Sequence, residues 1–392
     1  MRSYEKSHPW ITFSLDLKKL SYKNWIALGE AKSKCEHIAT TPLVPEVAKR
    51  MHELYLAKGA LGTTAIEGNT LSEKEVINKI EGKLTLPPSK EYLGIEIDNI
   101  VSACNLISDE LLESDTIELN RSKLELYNGL VLKNLEIGDG VVPGKIRKHA
   151  VGINGVRYKG APSEDCEFLI DKLCTWLNID FNSPISESTI IMGIIKAIIA
   201  HIYIAWIHPF GDGNGRTARL VEFQILLASG VPTPAAHLLS NYYNETRQEY
   251  YKQLKITSSS GGDLIPFIEY AIDGLVESLK NQLSLIREQV FDVTWENYIH
   301  DQFKTKNKKS DIRQRHLALD ISQNAGPVKV SDVRHLSPRV AEHYAGKTKR
   351  TIDRDLKTLI EMEIINISKE GLITPNSDLM LSFLPRRRRL AK

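Results

Sequence analysis

The sequence predicts a mainly α-helical protein that ends in a small α+β domain of winged helix-turn-helix type. Helical spacing of apolar residues recurs along the first 300 of the 392 residues, and one hairpin signal interrupts it. The C-terminal part differs in charge and ends in a β-like stretch. The apolar fraction of 42% is that of an ordinary globular protein and excludes a wholly disordered chain.

Charge divides the chain into two parts. The overall net charge is only +2, but the segment from Asp301 onward carries 20 Lys and Arg against 11 Asp and Glu. Its net charge is therefore +9, which leaves −7 for residues 1–300. A basic segment of this kind is a candidate for binding a polyanion. The four cysteines form no CxxC pair and the N-terminal residues lack the apolar core of a signal peptide, so we expect a cytoplasmic location.

Helical patterns predict the elements of the first part in order. Residues 45–61 have helical spacing, with Pro45 near the first turn and Gly62 as the predicted end. A short helical piece, TTAIE, follows, and Ser72 to Glu75 forms a capping box that opens the next helix. The remaining helical patterns are at 91–113, 118–134, 163–179, 188–207, 214–229, 241–257 and 263–300.

The most apolar stretch, residues 190–207, is close to the length that spans a bilayer. Lys196 and His201 lie in its middle, where a charge costs at least about 2.5 kcal/mol in a membrane. His208-Pro209 then ends the helix. We therefore interpret this stretch as the buried central helix of a helical core, and we expect no membrane partner.

Two regions depart from helix. Strand-like residues on both sides of Asn154-Gly155 predict a hairpin over 148–159, which needs a supporting surface. Residues 301–310, with the polar run KTKNKKS, predict a linker. Beyond it, a helix at 348–362 followed by β-like residues at 364–373 resembles a winged helix-turn-helix.

The segment HPFGDGNGRTAR at 208–219 concentrates groups suited to phosphate chemistry. Its glycines let the backbone approach a ligand, and successive N–H groups that enter a helix form an anion-binding nest. Arg216 and Arg219 project from one helix face. Asp212 could hold Mg²⁺ beside phosphate oxygens, and His208 could act as a base near neutral pH. Each feature alone is common in ordinary turns, but together they predict polyphosphate chemistry.

This segment resembles the HPFx(D/E)GNGRxxR signature of Fic-domain proteins at every defined position. The resemblance extends upstream through VPGKIR at 142–147 and downstream through Tyr250-Tyr251, over about residues 60–270. It implies a helical Fic core that transfers AMP from ATP to a hydroxyl side chain (Ser, Thr or Tyr) of a target protein. The intact GNGR favours adenylylation over relatives that attach other groups.

The resemblance also implies a role for each residue of the site. His208 would accept the proton of the target hydroxyl, and Asp212 would place Mg²⁺. Arg216 and Arg219 would neutralise the β- and γ-phosphates. The implied nucleotide-binding residues are Glu67, Gly213, Asn214, Gly215, Arg216, Thr217, Arg219, Tyr243 and Thr246, with Asn244 as the alternative to Thr246 in the adenine pocket.

Residues 63–68, TTAIEG, resemble the family's inhibitory motif (S/T)xxxE(G/N), with Thr63, Glu67 and Gly68 at its defined positions. The resemblance implies that Glu67 pairs with Arg219 and withdraws the cation that holds the γ-phosphate. In some relatives the same glutamate positions water for AMP removal. Reversal and self-modification are therefore open alternatives.

The hairpin tip, with Ile153, Gly155 and Val156, resembles the family's flap, which holds a target segment by strand addition. Such a flap would fix a target hydroxyl near the catalytic base without reading much sequence. A homodimer is also expected, because relatives pair.

The predicted domain order is an N-terminal helical region at 1–110 with the inhibitory motif, a Fic core at 111–300, the linker at 301–310 and a basic winged-helix-like domain at 311–392. Two other functions stay open. The first is a DNA-binding regulator whose Fic-like domain senses nucleotide, favoured by the C-terminal charge and four consecutive arginines at 386–389. The second is a purely structural nucleotide sensor.

Overall fold

The computed structural model describes residues 2–114, 118–152, 158–181 and 189–381. The chain divides into two units, Met1–Ser284 and Leu285–Lys392. The mainly helical fold predicted from the sequence is confirmed, and the described residues contain one small antiparallel sheet, in the second unit. The division between the units falls inside a long helix, earlier in the chain than the predicted linker.

The helices of the first unit follow the predicted patterns closely after residue 45. The last of them, α13, continues past the division between the units. They are α1 (Ser3–Ser7), α2 (Tyr22–Thr40), α3 (Pro45–Ala65), α4 (Glu73–Ile80), α5 (Glu91–Glu113), α6 (Arg121–Val131), α7 (Cys166–Asp180), α8 (Thr189–Ile207), α9 (Asn214–Ala228), α10 (Thr233–Ala236), α11 (Leu238–Glu245), α12 (Arg247–Ser259) and α13 (Ile265–Gln302).

Helix α3 runs without a break through Gly62, where the sequence predicts a helix end, and that prediction is wrong. Gly62 allows α3 to pack closely against α11. A Cβ at Gly62 would lie 2.8 Å from Asn241 Oδ1 and 3.0 Å from the Ser240 carbonyl oxygen. A Cβ at Gly59, one turn earlier, would overlap the His237 ring. Small residues on this face therefore let α3 approach α11 closely.

Helix α8 is long and apolar enough to cross a membrane by length and composition, yet 72% of its most apolar window is buried inside the protein. His201, in its middle, is fully buried, and its Nε2 lies 2.9 Å from the Tyr250 hydroxyl. Glu222 on α9 is also buried and accepts a hydrogen bond from the Tyr243 hydroxyl at 2.9 Å. Buried polar groups require such partners. The interpretation of this stretch as a core helix is supported.

The second unit combines helices with a three-stranded antiparallel sheet, in which β3 (Leu372–Pro375) lies between β1 (Val328–Lys329) and β2 (Ile365–Ile367). Ile367 pairs with Ile373 in the β2–β3 hairpin, and Val328 pairs with Ile373 on the other side. Its own apolar core contains residues from every helix and strand of the unit. The elements are α14 (Lys309–Gln323), β1 (Val328–Lys329), α15 (Pro338–His343), α16 (Lys349–Glu361), β2 (Ile365–Ile367) and β3 (Leu372–Pro375).

A buried ionic cluster fixes α16 to α14. The Asp355 carboxylate is fully buried and accepts hydrogen bonds from Arg313 Nε at 2.7 Å and Arg313 Nη2 at 3.1 Å. Gln314 Nε2 donates to it at 2.8 Å, and the Tyr344 hydroxyl does so at 3.0 Å. The bidentate arginine fork and the two further donors satisfy both carboxylate oxygens.

Replacing Asp355 with Ala should destabilise the second unit by about 3–5 kcal/mol, because the buried Arg313 guanidinium loses its counter-ion. Asp353→Ala, an exposed neighbour on the same helix, should change stability by less than about 0.5 kcal/mol. Hydrogen exchange measured by mass spectrometry resolves the two units. Peptides from 309–375 should lose protection in Asp355→Ala and keep it in Asp353→Ala; equal protection in both variants would contradict the prediction.

Candidate active site

The loop between α8 and α9 brings the polar groups of the 208–219 segment to the start of α9. His208 adopts a left-handed φ of 51°, and Gly213, immediately before α9, has φ 74°. Asn214 closes the loop, since its Oδ1 accepts from Phe210 N and its Nδ2 donates to Phe210 O, both at 2.9 Å. The first N–H groups of α9, which have no acceptor within the helix, therefore follow a glycine. Free N–H groups at a helix start form a suitable binding site for an anion.

Two buried side chains outside this segment hold the loop. Arg147 Nε donates to the His208 carbonyl at 2.7 Å, and its other nitrogens donate to carbonyls at the base of the hairpin. Asn128 on α6 donates from Nδ2 to the Asp212 carbonyl at 2.9 Å and accepts from Gly144 N at 3.0 Å. The sequence prediction gives neither residue a role, because their partners are backbone atoms distant in the chain.

The His208 imidazole is kept neutral by its surroundings. Burial first, and then the nearby Arg147 guanidinium, lower its pKa to about 4. The Ala205 carbonyl and the carboxylates of Glu67 and Asp212 oppose this shift but do not reverse it. At neutral pH the ring therefore has a free lone pair, which is the form that can accept a proton.

Arg219 forms the ion pair that the inhibitory motif implies. Its side chain is 1% exposed, and its Nη2 donates to Glu67 Oε1 at 2.7 Å and to the Thr63 carbonyl at 2.8 Å. Thr63 thus contributes its backbone carbonyl to this contact. Arg219 Nε and Nη1 are buried and have no hydrogen-bond partner among the described residues. A guanidinium with unused buried donors can accept a further anion.

The Glu67 carboxylate lies over the first turn of α9. A Cβ at Gly215 would be 2.2 Å from Glu67 Oε1, so the absence of a side chain at that position makes room for the carboxylate. Partial removal from water favours a higher pKa for Glu67, but the charge and hydrogen bond of Arg219, with Arg216 nearby, hold the pKa below its usual value. The turn after it requires Gly68, whose φ is 112°.

Arg216 is the second buried cation of the site. It is 7% exposed; its Nη1 donates to Glu96 Oε1 at 3.0 Å, and its Nη2 lies 3.6 Å from Asp212 Oδ1. Burial, together with the charges of Glu67 and Asp212, raises the pKa of Glu96 despite its bonds to Arg216 and Asn69. Sequence reasoning missed Glu96, because nothing in the local pattern of α5 distinguishes it from a surface glutamate.

Asp212 is the residue that would hold a metal ion. Its side chain is 53% exposed and accepts from Gly213 N at 2.6 Å. No group of three or more His, Cys, Asp or Glu suited to a metal occurs within residues 2–114, 118–152, 158–181 and 189–381. A single exposed carboxylate fits Mg²⁺ that arrives with phosphate oxygens, since Mg²⁺ bound with phosphates usually takes one or two protein carboxylates.

Two of the predicted nucleotide-binding residues, Thr217 and Tyr243, lie in the interior, and Thr246 is half-buried. Thr217 is fully buried and accepts from Asn128 at 3.3 Å. Tyr243 is fully buried and bonds to Glu222 within the core, and the Thr246 hydroxyl bonds to the Tyr242 carbonyl at 2.7 Å. The hydrogen bonds of these three side chains are all made to neighbouring protein groups. The predicted flap residues Ile153, Gly155 and Val156 lie outside the described residues.

Residues 114–226, which include the 208–219 segment, match the Fic/DOC family. The chain is 30% identical over 259 residues to protein adenylyltransferase fic-1 of Caenorhabditis briggsae, covering 66% of this chain and 46% of that protein. Its identity to the Caenorhabditis elegans protein of the same name is 28% over 270 residues, or 67% and 47% of the two chains. The chain therefore spans about half the length of the curated relatives it matches.

The solved structures that are similar to this chain include two Fic proteins. Fic-1 (residues 134–508) of C. elegans has a TM-score of 0.51 at 28% identity, covering 67% of this chain and 71% of that one. A Fic family protein of Desulfovibrio desulfuricans G20 has a TM-score of 0.52 at 19% identity, covering 89% and 95%, which shows similarity of fold. The match over residues 114–226 and these two structures agree on a Fic-type fold for this region.

The His208 ring should titrate with a midpoint near pH 4, well below its ordinary value of 6.5. The folded protein then binds this proton less well than the unfolded chain, so protonation of His208 should destabilise the fold as pH falls from 6.5 towards 4. NMR of histidine-labelled protein, with His208→Gln for assignment, measures the midpoint directly. A midpoint above pH 6 in the folded protein would contradict the geometry described.

Proposed function

We propose that this Fic-domain protein transfers AMP from ATP to a Ser, Thr or Tyr hydroxyl of a target protein. The observation that carries the proposal is the nearly complete burial of Arg219, whose Nε and Nη1 have no partner among the described residues. A site with two buried guanidiniums beside a helix start suits a polyphosphate. The names of the related proteins, protein adenylyltransferases, agree with this reaction.

In the proposed reaction the target hydroxyl oxygen attacks the α-phosphorus of ATP. The bond from that phosphorus to the bridging oxygen breaks, pyrophosphate leaves, and the hydroxyl proton passes to the neutral His208 imidazole. Arg216 and Arg219 stabilise the negative charge that grows on the leaving group. Mg²⁺, when bound beside Asp212, supplies further charge neutralisation at the phosphates.

Glu67 would act as a brake on this reaction. Its carboxylate holds Arg219 Nη2 at 2.7 Å, and it also fills the space above Gly215. ATP could then bind only with its terminal phosphate displaced, which spoils the alignment for in-line attack. Release of Glu67 would leave the buried guanidinium without an anion, and the γ-phosphate would supply one.

Glu67→Gly should increase AMP incorporation, and Arg219→Ala in the same chain should cancel the gain, because both effects depend on one cation. Incorporation from labelled ATP, into extract proteins and into the protein itself, measures both variants and the double variant. Glu73→Gly, at an exposed site on α4, is the matched control and should behave as wild type. Equal incorporation by wild type and Glu67→Gly, with both folded and ATP-bound, would refute the brake.

The same assay tests the proposed base. In the Glu67→Gly background, His208→Ala should lower transfer by about 10²–10⁴-fold and leave ATP affinity nearly unchanged. Retention of more than about a tenth of the transfer would exclude His208 as the base. Loss of label as free AMP after ATP is removed, dependent on Glu67, would reveal hydrolytic removal of AMP from the target.

We also propose that the second unit is a winged helix-turn-helix that contacts DNA through α16. The turn at Gly346 and the β2–β3 hairpin flank this helix, and the Asp355 cluster anchors its inner face. Its outer face is basic, which suits a phosphate backbone. The exposed basic residues are Lys349, Arg350, Arg354 and Lys357.

Binding to a nonspecific DNA duplex should weaken as salt rises, and Arg350→Ala combined with Arg354→Ala should reduce the slope of log affinity against log salt by about 2. The physical reason is that each lost phosphate contact releases about one fewer counterion. Fluorescence anisotropy at several salt concentrations measures the slope, with Lys329→Ala, an exposed residue of β1, as control. Absence of a shift at low salt would exclude DNA contact by this face.

A further inference from the structure

The carboxylate of Glu96 contacts the site but belongs to neither of its sequence motifs. It lies on α5 and is 14% exposed, and its Oε1 accepts from Arg216 Nη1 at 3.0 Å. Its other oxygen, Oε2, accepts from Asn69 Nδ2 at 2.9 Å. Both oxygens of the carboxylate are therefore assigned to defined donors, which fixes its position and orientation.

Both polar atoms of the Asn69 side chain form hydrogen bonds within the protein. It is 6% exposed, and its Nδ2 also donates to the Leu93 carbonyl of α5 at 2.9 Å. Its Oδ1 accepts from Leu71 N at 3.1 Å. The turn that follows Glu67 is thus bonded to α5, and through Glu96 it is bonded to Arg216.

The two glutamates of the site contact different guanidinium nitrogens. Glu67 accepts a hydrogen bond from Arg219 Nη2. An arginine binds an anion with two hydrogen bonds either through Nε and Nη2 or through Nη1 and Nη2, so this contact engages both edges of Arg219. Glu96 takes Arg216 Nη1 and leaves the opposite edge, Nε with Nη2, outside this contact. Arg216 Nε is buried and has no hydrogen-bond partner among the described residues. Arg216 Nη2 lies 3.6 Å from Asp212 Oδ1, beyond hydrogen-bond distance. The Nε–Nη2 edge of Arg216 is therefore fixed in place, and its Nε still lacks an acceptor.

We propose that Glu96 is a positioning residue, which with Asn69 fixes Arg216 so that its Nε–Nη2 edge receives a β- or γ-phosphate oxygen of ATP. This inference rests on the proposed function and extends it. The two glutamates have opposite effects on nucleotide binding. Removal of Glu96 should weaken the binding of ATP, whereas removal of Glu67 should strengthen it. Residues 67–69 then contact both arginines. Glu67 binds Arg219 directly, and Asn69 holds Glu96, which binds Arg216.

Calorimetry with ATP and AMP, on full-length protein carrying Glu67→Gly, tests this role. Adding Glu96→Ala should weaken ATP binding about 10-fold, the value of one charge-assisted hydrogen bond. AMP lacks the β- and γ-phosphates, so its affinity should change by less than about twofold. Glu96→Gln, which keeps an acceptor oxygen for Arg216, should restore part of the loss. Asp98→Ala, an exposed site on the same helix, is the matched control and should have no effect.

Two other outcomes of the calorimetry would overturn the role of Glu96. Unchanged or tighter ATP binding in Glu96→Ala would make this carboxylate irrelevant or a competitor of the nucleotide. Equal weakening of the binding of ATP and AMP would indicate local structural damage.

The transfer assay separates this inference from the proposed function. The predicted loss of ATP affinity without AMP transfer by any variant would refute the proposed function alone. Transfer measured below saturating ATP that is insensitive to Glu96 would refute the positioning role alone. Absence of ATP binding to the Glu67→Gly protein would refute both.

Discussion

Two guanidinium groups at the start of α9 are held almost entirely out of water, and the arrangement of the site follows from the anions they require. Arg216 is 7% exposed and Arg219 is 1% exposed. Buried charges of this kind are tolerated only with partners. Glu96 and Asp212 pair with the first, and Glu67 pairs with the second. With three carboxylates and two guanidinium groups, the site has a formal net negative charge. A polyphosphate could therefore enter it only together with a cation or by displacing one of the carboxylates.

These partners come from separate elements, so the site exists only when the helices are packed. Glu67 follows α3, Glu96 lies on α5, and both arginines lie on α9. The close approach of α3 to α11, which the glycines of α3 permit, places the end of α3 over the first turn of α9. A change in the packing of α3 would therefore reach the arginines directly, and packed cores transmit such changes because they deform little.

Buried arginine side chains also join distant segments elsewhere in the molecule. Arg147 holds the backbone at His208 and the hairpin base at the same time. In the second unit, Asp355 joins α16 to α14 through Arg313. In each case one planar guanidinium fork makes several directed bonds, which fixes orientation as well as distance.

The sequence by itself determined the helical class, the core role of α8 and the 208–219 segment, because these depend on periodicity or on residues adjacent in the chain. The Glu67–Arg219 contact, implied by family resemblance, is present at 2.7 Å. Tertiary structure alone decided that Gly62 lies inside a helix, that Thr217 and Tyr243 are buried, and that Glu96 meets Arg216. The physical reason is common to all of them. A close approach or a buried ion pair depends on a partner distant in the chain, 120 residues away for Glu96 and Arg216, and the local sequence pattern does not identify that partner.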